Sequence, residues 1–514
     1  MLPKRNGEYQ YSEAYFAFPA DAISVCLNGF SRDCLTVFTE RTDIQITEKE
    51  PVCLTLVQDA AFAREEYALT VTDEGVLVAA SCGQGVILAL TTVWQLMDEE
   101  RCIPFLSLRD EPRCAYRGLL MDCVRHFIPV EEVLRILDQM ANVKLNTFHW
   151  VLTNDQGWRI ESRKYPRLNE VGGPFYTRDE ISRVVEYAEL RGIEVIPEID
   201  VPGHTTTLLS AYPEYSCFEK PVKPATCGGV YPIILCAGKE KTYDLIDGLL
   251  SEICPLFPGK RIHLGGDEAP KREWKKCPCC QRKMKEGGLS DEHQLQGYFM
   301  NRCFEIARKY GKEPICWNES LTGGNLDATA TVQYWTVDGA EPTKAFFQKG
   351  GKIIYSDMFS LYLDYPHVCV PLDHVYGDAQ VLDDLDVSDQ VLGVEACLWT
   401  EHIDTCEKLE RYLFPRLYAF AEMAWSRERD YADFKRRLPE FLEKCHPEDI
   451  SLTPENEWEA DMPDRMQRVM AYMQSVTAAM SEEARQSTME AAAPTPAFQK
   501  RFAKQFLGLG GNPQ

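Results

Sequence analysis

Lys260-Arg261-Ile262-His263-Leu264-Gly265-Gly266-Asp267-Glu268 reads as a short buried strand that stops at two glycines and then presents two acids side by side. The apolar run suits a strand covered on both faces, and the glycines allow a turn and a close backbone approach to a ligand. Carboxylates delivered at a strand end suggest acid/base chemistry. Alone, Gly-Gly-Asp-Glu is a weak motif that equally describes a solvated acidic turn. Its weight comes from the sequence on either side.

Working outward from this strand, seven further runs of the same kind appear between Arg113 and Arg427. They are Gly118–Asp122, Asn146–Trp150, Ile193–Pro197, Pro314–Trp317, Thr331–Trp335, Lys352–Tyr355 and Leu392–Trp399. Amphipathic helical patterns separate most of them, among them Glu131–Val143, Arg178–Arg191, Thr242–Cys254 and Lys408–Trp425. Eight short apolar runs alternating with helices predict a (β/α)8 barrel, with the helix between the fifth and sixth strands missing or rudimentary.

Before the barrel, residues 1–110 carry short strand patterns such as Tyr67–Val71 and Gly75–Ala79 and one helical pattern over Gly83–Met97, a small α+β domain. After it, residues 428–514 read as polar helices, Tyr431–Cys445 and Asp464–Met480 among them, with a disordered Gly508–Gln514 tail. The predicted domains are therefore 1–110, 111–427 and 428–514.

Composition narrows the function. The net charge of −24 and a pI near 4.9 oppose phosphate backbones and anionic membranes, so nucleic acid and membrane are not expected as partners, whereas a neutral small molecule or glycan is. The N-terminal residues are polar and no run is long enough to span a bilayer, which leads to an expected cytoplasmic location. In that compartment the 20 cysteines are expected to be reduced.

A barrel of this type holds its active site at the C-terminal strand ends. The residues there are Asp122 and Arg125; Asn154 and Asp155; Glu198, Asp200 and His204; Asp267 and Glu268; Trp317 and Glu319; Trp335; Tyr362 and Asp364; Trp399 and Glu401. Flat apolar walls with carboxylates and few cations suit a pyranose, whose ring faces are C–H rich and whose edge is hydroxyl.

Arg117-Gly118-Leu119 through Arg125-His126-Phe127, Lys144–Trp150, Asp155-Gln156-Gly157-Trp158, Pro197–His204 and the Gly-Gly-Asp-Glu string, in this order, resemble the family 20 glycoside hydrolases, the β-N-acetylhexosaminidases, over roughly residues 60–427. The resemblance implies an exo-acting retaining hydrolase that removes terminal β-linked N-acetylglucosamine or N-acetylgalactosamine without a cofactor. In that scheme the sugar's own 2-acetamido oxygen attacks C1 to give an oxazoline, an exception to the two-carboxylate glycosidase. Glu268 would then be the general acid and base, Asp267 would orient the acetamido group, and Tyr362 would hydrogen-bond its carbonyl oxygen. Arg125, Glu401 and Asp364 would bind hydroxyls, with Trp317, Trp335 and Trp399 as walls and His204 supporting Glu268. The adjacency of Asp267 and Glu268 agrees, since neighbours on a strand point to opposite faces and are poorly placed to flank one bond as nucleophile and acid.

The chain departs from the family at one position. The family places an Asp-Asp pair where this chain has Asn154-Asp155, and the first of that pair contacts the histidine. The loss of that charge predicts either a changed pH dependence or a takeover by Asp155.

Two class alternatives remain, a silent glycan-binding barrel and a family variant releasing a disaccharide. A metal-dependent hydrolase is not expected, because the histidines are scattered and His263 reads as a hydrogen-bonded core residue. Cys277-Pro278-Cys279-Cys280 has a C-x-x-C spacing that leaves zinc as an alternative, but with no second pair nearby it reads as a loop beside the active-site strand.

Overall fold

The computed structural model of the protein describes residues 1–7, 9–47, 51–377, 390–459, 464–491 and 495–506. The predicted tail, Gly508–Gln514, lies outside them.

The eight apolar runs form one closed parallel barrel. Its strands are Tyr116–Asp122, Thr147–Val151, Glu194–Glu198, Arg261–His263, Glu313–Trp317, Thr331–Tyr334, Lys352–Tyr355 and Val391–Leu398, paired in chain order. The eighth strand closes on the first, with Gly393 opposite Tyr116 and Leu398 opposite Met121. Burial on both faces explains why apolar residues dominate these strands, with His149, Glu198, His263, Gln333 and Glu395 among the buried polar exceptions.

Helices Val130–Asn142, Arg178–Leu190, Glu240–Ile253, Glu292–Lys309 and Ala340–Gln348 form most of the outer ring. The second starts sharply because Thr177 and Glu180 make a reciprocal capping box. Between the fifth and sixth strands there is only the 3-10 turn Asn318–Leu321, as the short spacing required.

One predicted element is corrected. Lys408–Trp425 is two helices, Cys406–Leu413 and Arg416–Trp425, because Pro415 forces Phe414 into an extended conformation (φ −104°, ψ 135°).

The barrel interior is layered. Tyr116, Ile196, Ile315 and Ile354 form an apolar cluster. Toward the C-terminal strand ends lies a buried polar network. His149 bridges Glu395 (Nδ1–Oε1, 2.8 Å) and Glu198 (Nε2–Oε2, 2.9 Å), Gln333 and Tyr116 donate to Glu395, and Trp317 Nε1 donates to Glu198 (3.1 Å). His263 is the buried, hydrogen-bonded residue expected, accepting from the Gly265 N–H at 3.1 Å with Glu198 3.5 Å away.

The N-terminal α+β domain is a seven-stranded sheet covered by helix Gly83–Leu96. Its last strand, Cys102–Asp110, delivers Asp110 to a buried junction with the barrel, where it accepts from Tyr67 Oη (2.9 Å), Lys144 Nζ (3.3 Å) and Trp425 Nε1 (3.2 Å). Beyond the barrel, helices Tyr431–Cys445, Arg465–Ala479, Glu482–Ala491 and Pro496–Gln505 form the C-terminal extension. No helix among the described residues is long and apolar enough to cross a membrane.

Candidate active site

The two glycines after the fourth strand adopt φ +64° (Gly265) and +95° (Gly266). A Cβ on Gly265 would lie 1.8 Å from Asp200 Oδ1, and one on Gly266 2.3 Å from Ser320 Oγ, so glycine is required at both. The turn carries Asp267 and Glu268 over the barrel mouth. Glu268 itself has φ +42°, and His204, after the third strand, has φ +49°. Non-glycine residues in this region cost on the order of 1–3 kcal/mol each and concentrate at functional sites.

His204 is the hub. Its Nδ1 meets Asp155 Oδ2 at 2.8 Å, and its Nε2 lies 3.4 Å from Glu268 Oε2 and 3.7 Å from Asp267 Oδ2. Asp155 is fixed in turn by the Thr206 N–H (3.0 Å) and hydroxyl (2.5 Å). Burial opposes charge on His204, but hydrogen bonds to Asp155 and Glu268 overcome it and hold the imidazole well above its ordinary range. The imidazole thus sits between Asp155 on one side and both acids on the other, an arrangement that favours its charged form.

The departure at Asn154 resolves in favour of Asp155. Asn154 turns its Oδ1 to the N–H of Asp155 (2.8 Å), and the charge that supports His204 comes from Asp155.

Burial raises the carboxyls around this hub. Asp267 is pushed up to about 7 by burial, with His204 opposing and Glu198 and Glu268 adding to the rise. Asp200, buried against Asp267, is also raised. Glu319, whose Oε2 accepts the Glu268 N–H at 2.9 Å, is pushed up to about 8 by burial and then by Glu268 and Asp267. The strand-end positions of Asp200 and Glu319 carry no specific role in the sequence, whereas Asp155 is the alternative support expected for His204.

Aromatic side chains wall the other side. Trp335 and Tyr362 stack (6.1 Å, 20°), Tyr362 meets Trp399 at 6.4 Å, and Trp399 meets Trp317 at 6.0 Å. Trp317 is fully buried and serves as floor. Arg125 lies over Trp399 (5.1 Å to the ring centroid), pairs with Asp122 (3.3 Å) and reaches toward Glu401 (3.7 Å). Asp364 is pushed up to about 8 by burial, with the Glu401 charge also raising it.

Four buried polar atoms in this mouth have no hydrogen-bond partner among the described residues: Asp267 Oδ1, Asp364 Oδ1, Arg125 Nε and Trp335 Nε1. Buried polar atoms are almost always satisfied, so a convergent set of orphans marks a place for a polar ligand. Two acceptors and two donors among aromatic faces match a molecule with hydroxyl and amide edges and an apolar ring face.

Away from the mouth, the loop expected at Cys277–Cys280 is instead the start of helix Pro278–Gly287, and partners absent from the nearby sequence come from elsewhere. Cys217 and Cys236, far away in sequence, pack against Cys277 and Cys280.

Residues 114–428 match the family model described as "Glycosyl hydrolase family 20, catalytic domain". A beta-hexosaminidase of Porphyromonas gingivalis is 38% identical over 410 residues, 73% of this chain and 52% of that protein, so the chain spans about half the length of this relative. A beta-hexosaminidase of Akkermansia muciniphila is 31% identical over 468 residues, 82% of this chain and 93% of the relative. Among solved structures, the exo beta-N-acetylglucosaminidase of Vibrio harveyi in complex with N-acetylglucosamine superposes with a TM-score of 0.79 at 28% identity, covering 89% of this chain and 78% of that one. With the barrel, the ordered motifs and the family model in agreement, the chain belongs to glycosyl hydrolase family 20.

Proposed function

We propose that this protein is an exo-acting retaining β-N-acetylhexosaminidase that removes terminal N-acetylglucosamine or N-acetylgalactosamine from glycans through substrate assistance. The supporting observation is the state of Asp267, whose Oδ2 faces charged His204 while its buried Oδ1 lacks a partner among the described residues. An acetamido N–H is the donor that would complete it. In this reading the acetamido oxygen attacks C1 as Glu268 protonates the leaving oxygen. Positive charge spreads onto the acetamido nitrogen, and the Asp267 carboxylate stabilises it. Tyr362 donates to the attacking oxygen and fixes its direction. Glu268, now a carboxylate, removes a proton from the water that opens the oxazoline.

Trp317, Trp335 and Trp399 enclose the acetamido group and ring, while Arg125, Asp364 and Glu401 take hydroxyls. The relative from Vibrio harveyi, solved with N-acetylglucosamine, supports the sugar class. Initial rates on 4-nitrophenyl β-N-acetylglucosaminide, β-N-acetylgalactosaminide, β-glucoside and β-galactoside test the proposal. Turnover confined to the 2-acetamido sugars is expected. Equal turnover of the plain sugars would make an enzyme carboxylate the nucleophile and overturn it, and no turnover of any would favour a binding barrel or a disaccharide-releasing variant.

A further inference from the structure

The cysteine cluster has the dimensions of a metal site. Cys217, Cys236, Cys277 and Cys280 bring their sulfurs within 4.8 Å of one another. Three of the separations are 3.6 Å (Cys236–Cys280), 3.7 Å (Cys236–Cys277) and 3.9 Å (Cys217–Cys280). Four thiolates around zinc, each about 2.3 Å from the ion, form a tetrahedron with edges of about 3.8 Å. A disulfide would need about 2.05 Å, and every one of the 20 cysteines is a free thiol. No other cysteines among the described residues gather in this way.

The surroundings are built for a closed site. Cys217 is 8% exposed and the other three at most 1%, so four thiolates here need a cation to offset their charge. Cys277 and Cys280 lie on the turn and first residues of helix Pro278–Gly287, and the N–H groups of Cys279 and Cys280 interact with the Cys277 sulfur. The N–H of Gly238 does the same for Cys236. Gly238 packs so closely on the cysteine turn that a Cβ would fall 2.2 Å from the Cys279 carbonyl carbon. Lys239, donating to the carbonyls of Glu214 (3.0 Å) and Ser216 (2.7 Å), adds a positive charge beside Cys236.

We infer that Cys217, Cys236, Cys277 and Cys280 bind one structural zinc ion. Binding replaces four S–H protons by four Zn–S bonds and involves no redox step. The ion sits at the neck of the excursion 217–236, where Ser216 and Leu235 pair. From that neck the loop reaches the active site. The Ala225 N–H donates to the carbonyl of Asp155 (2.9 Å), Gln156 Nε2 donates to that of Cys227 (2.8 Å), and Gly228 packs beside Glu401. The metal thus ties the loop after the third strand to the helices after Asp267 and Glu268.

The test uses the full chain purified without chelator. Mass-spectrometric metal analysis is expected to find about one zinc per chain, and Cys277→Ser/Cys280→Ser to lose it. Cobalt(II) added to stripped wild-type protein should give the intense visible bands and thiolate-to-metal absorption of a tetrahedral S4 site. Limited proteolysis gives an independent readout: stripping should open residues 217–236 to cleavage, and zinc alone should protect them again. The wild-type measurements hold even if the double variant fails to fold. Four thiols with no bound metal and no cobalt spectrum would overturn the inference, as would disulfides in the intact mass or iron in place of zinc.

Discussion

Replacing Asp155 by Asn tests the hub of the site. In the native protein, buried Asp155 holds the charge on His204 at 2.8 Å, and that charge faces Asp267 at 3.7 Å. Unit charges 3.7 Å apart attract by about 4 kcal/mol at an effective dielectric near 20. Water at the mouth and local relaxation reduce the part felt by Asp267. In our reading Asp267 must be ionised, so its carboxyl, pushed up to about 7 by burial, sets the acidic limb of kcat/KM. Removing the Asp155 charge weakens the cation opposing that rise, so the limb should move to higher pH, by about one to two units. At pH 6 this corresponds to a loss of roughly 10- to 100-fold in kcat/KM, since each unit is about 1.36 kcal/mol. The assay is the pH–rate profile on 4-nitrophenyl β-N-acetylglucosaminide, with circular dichroism to verify the fold. Asn154→Asp is the control: Asn154 contacts the Asp155 N–H and not His204, so that profile should stay within about half a pH unit of wild type. An unmoved limb in Asp155→Asn would refute the reasoning.

Glu268→Gln should lower turnover of natural oligosaccharides by about 10²- to 10⁴-fold with the fold intact, and that of 4-nitrophenyl substrates less, because their leaving group needs little protonation. Glu319→Gln should stabilise the free protein at high pH only. A carboxyl raised in the folded state contributes stability when protonated, fully present below its unfolded value and lost as pH rises through about 8, so the variant should match wild type near pH 4 and exceed it in unfolding free energy at pH 8.5, by about 1–2 kcal/mol once solvent screening of this half-buried group is allowed for. Gly265→Ala adds a Cβ 1.8 Å from Asp200 Oδ1 at φ +64°, so a loss of about 2 kcal/mol or more in denaturant unfolding is expected, together with loss of activity.

The barrel was legible because its strands are buried on both faces. Apolar residues dominate such strands, and runs such as Lys352–Tyr355 appear in the structure with the same limits. Asp267 and Glu268 were legible because the geometry there demands glycine before them. The break at Pro415 follows from local chemistry that the long apolar pattern over Lys408–Trp425 concealed.

Other features depend on tertiary placement. Whether Asn154 or Asp155 reaches His204 turns on a two-residue ribbon in which Asn154 pairs with Gly157, and strand-end position does not determine that rotation. Cys217 and Cys236 are 63 and 44 residues from Cys280, so no local spacing reveals their convergence. Glu319 was visible as one acid among several. Its role beside Glu268 appears only when the fourth and fifth strands lie side by side.

The most direct test of substrate assistance is a series of aryl β-glycosides carrying N-acetyl, N-fluoroacetyl, N-difluoroacetyl and N-trifluoroacetyl groups. Each fluorine weakens the carbonyl oxygen as a nucleophile and leaves the bond to be cleaved unchanged. If that oxygen attacks C1, log kcat should fall steeply and steadily along the series. A flat series would place the nucleophile on the protein and contradict the proposed roles of Asp267 and Tyr362.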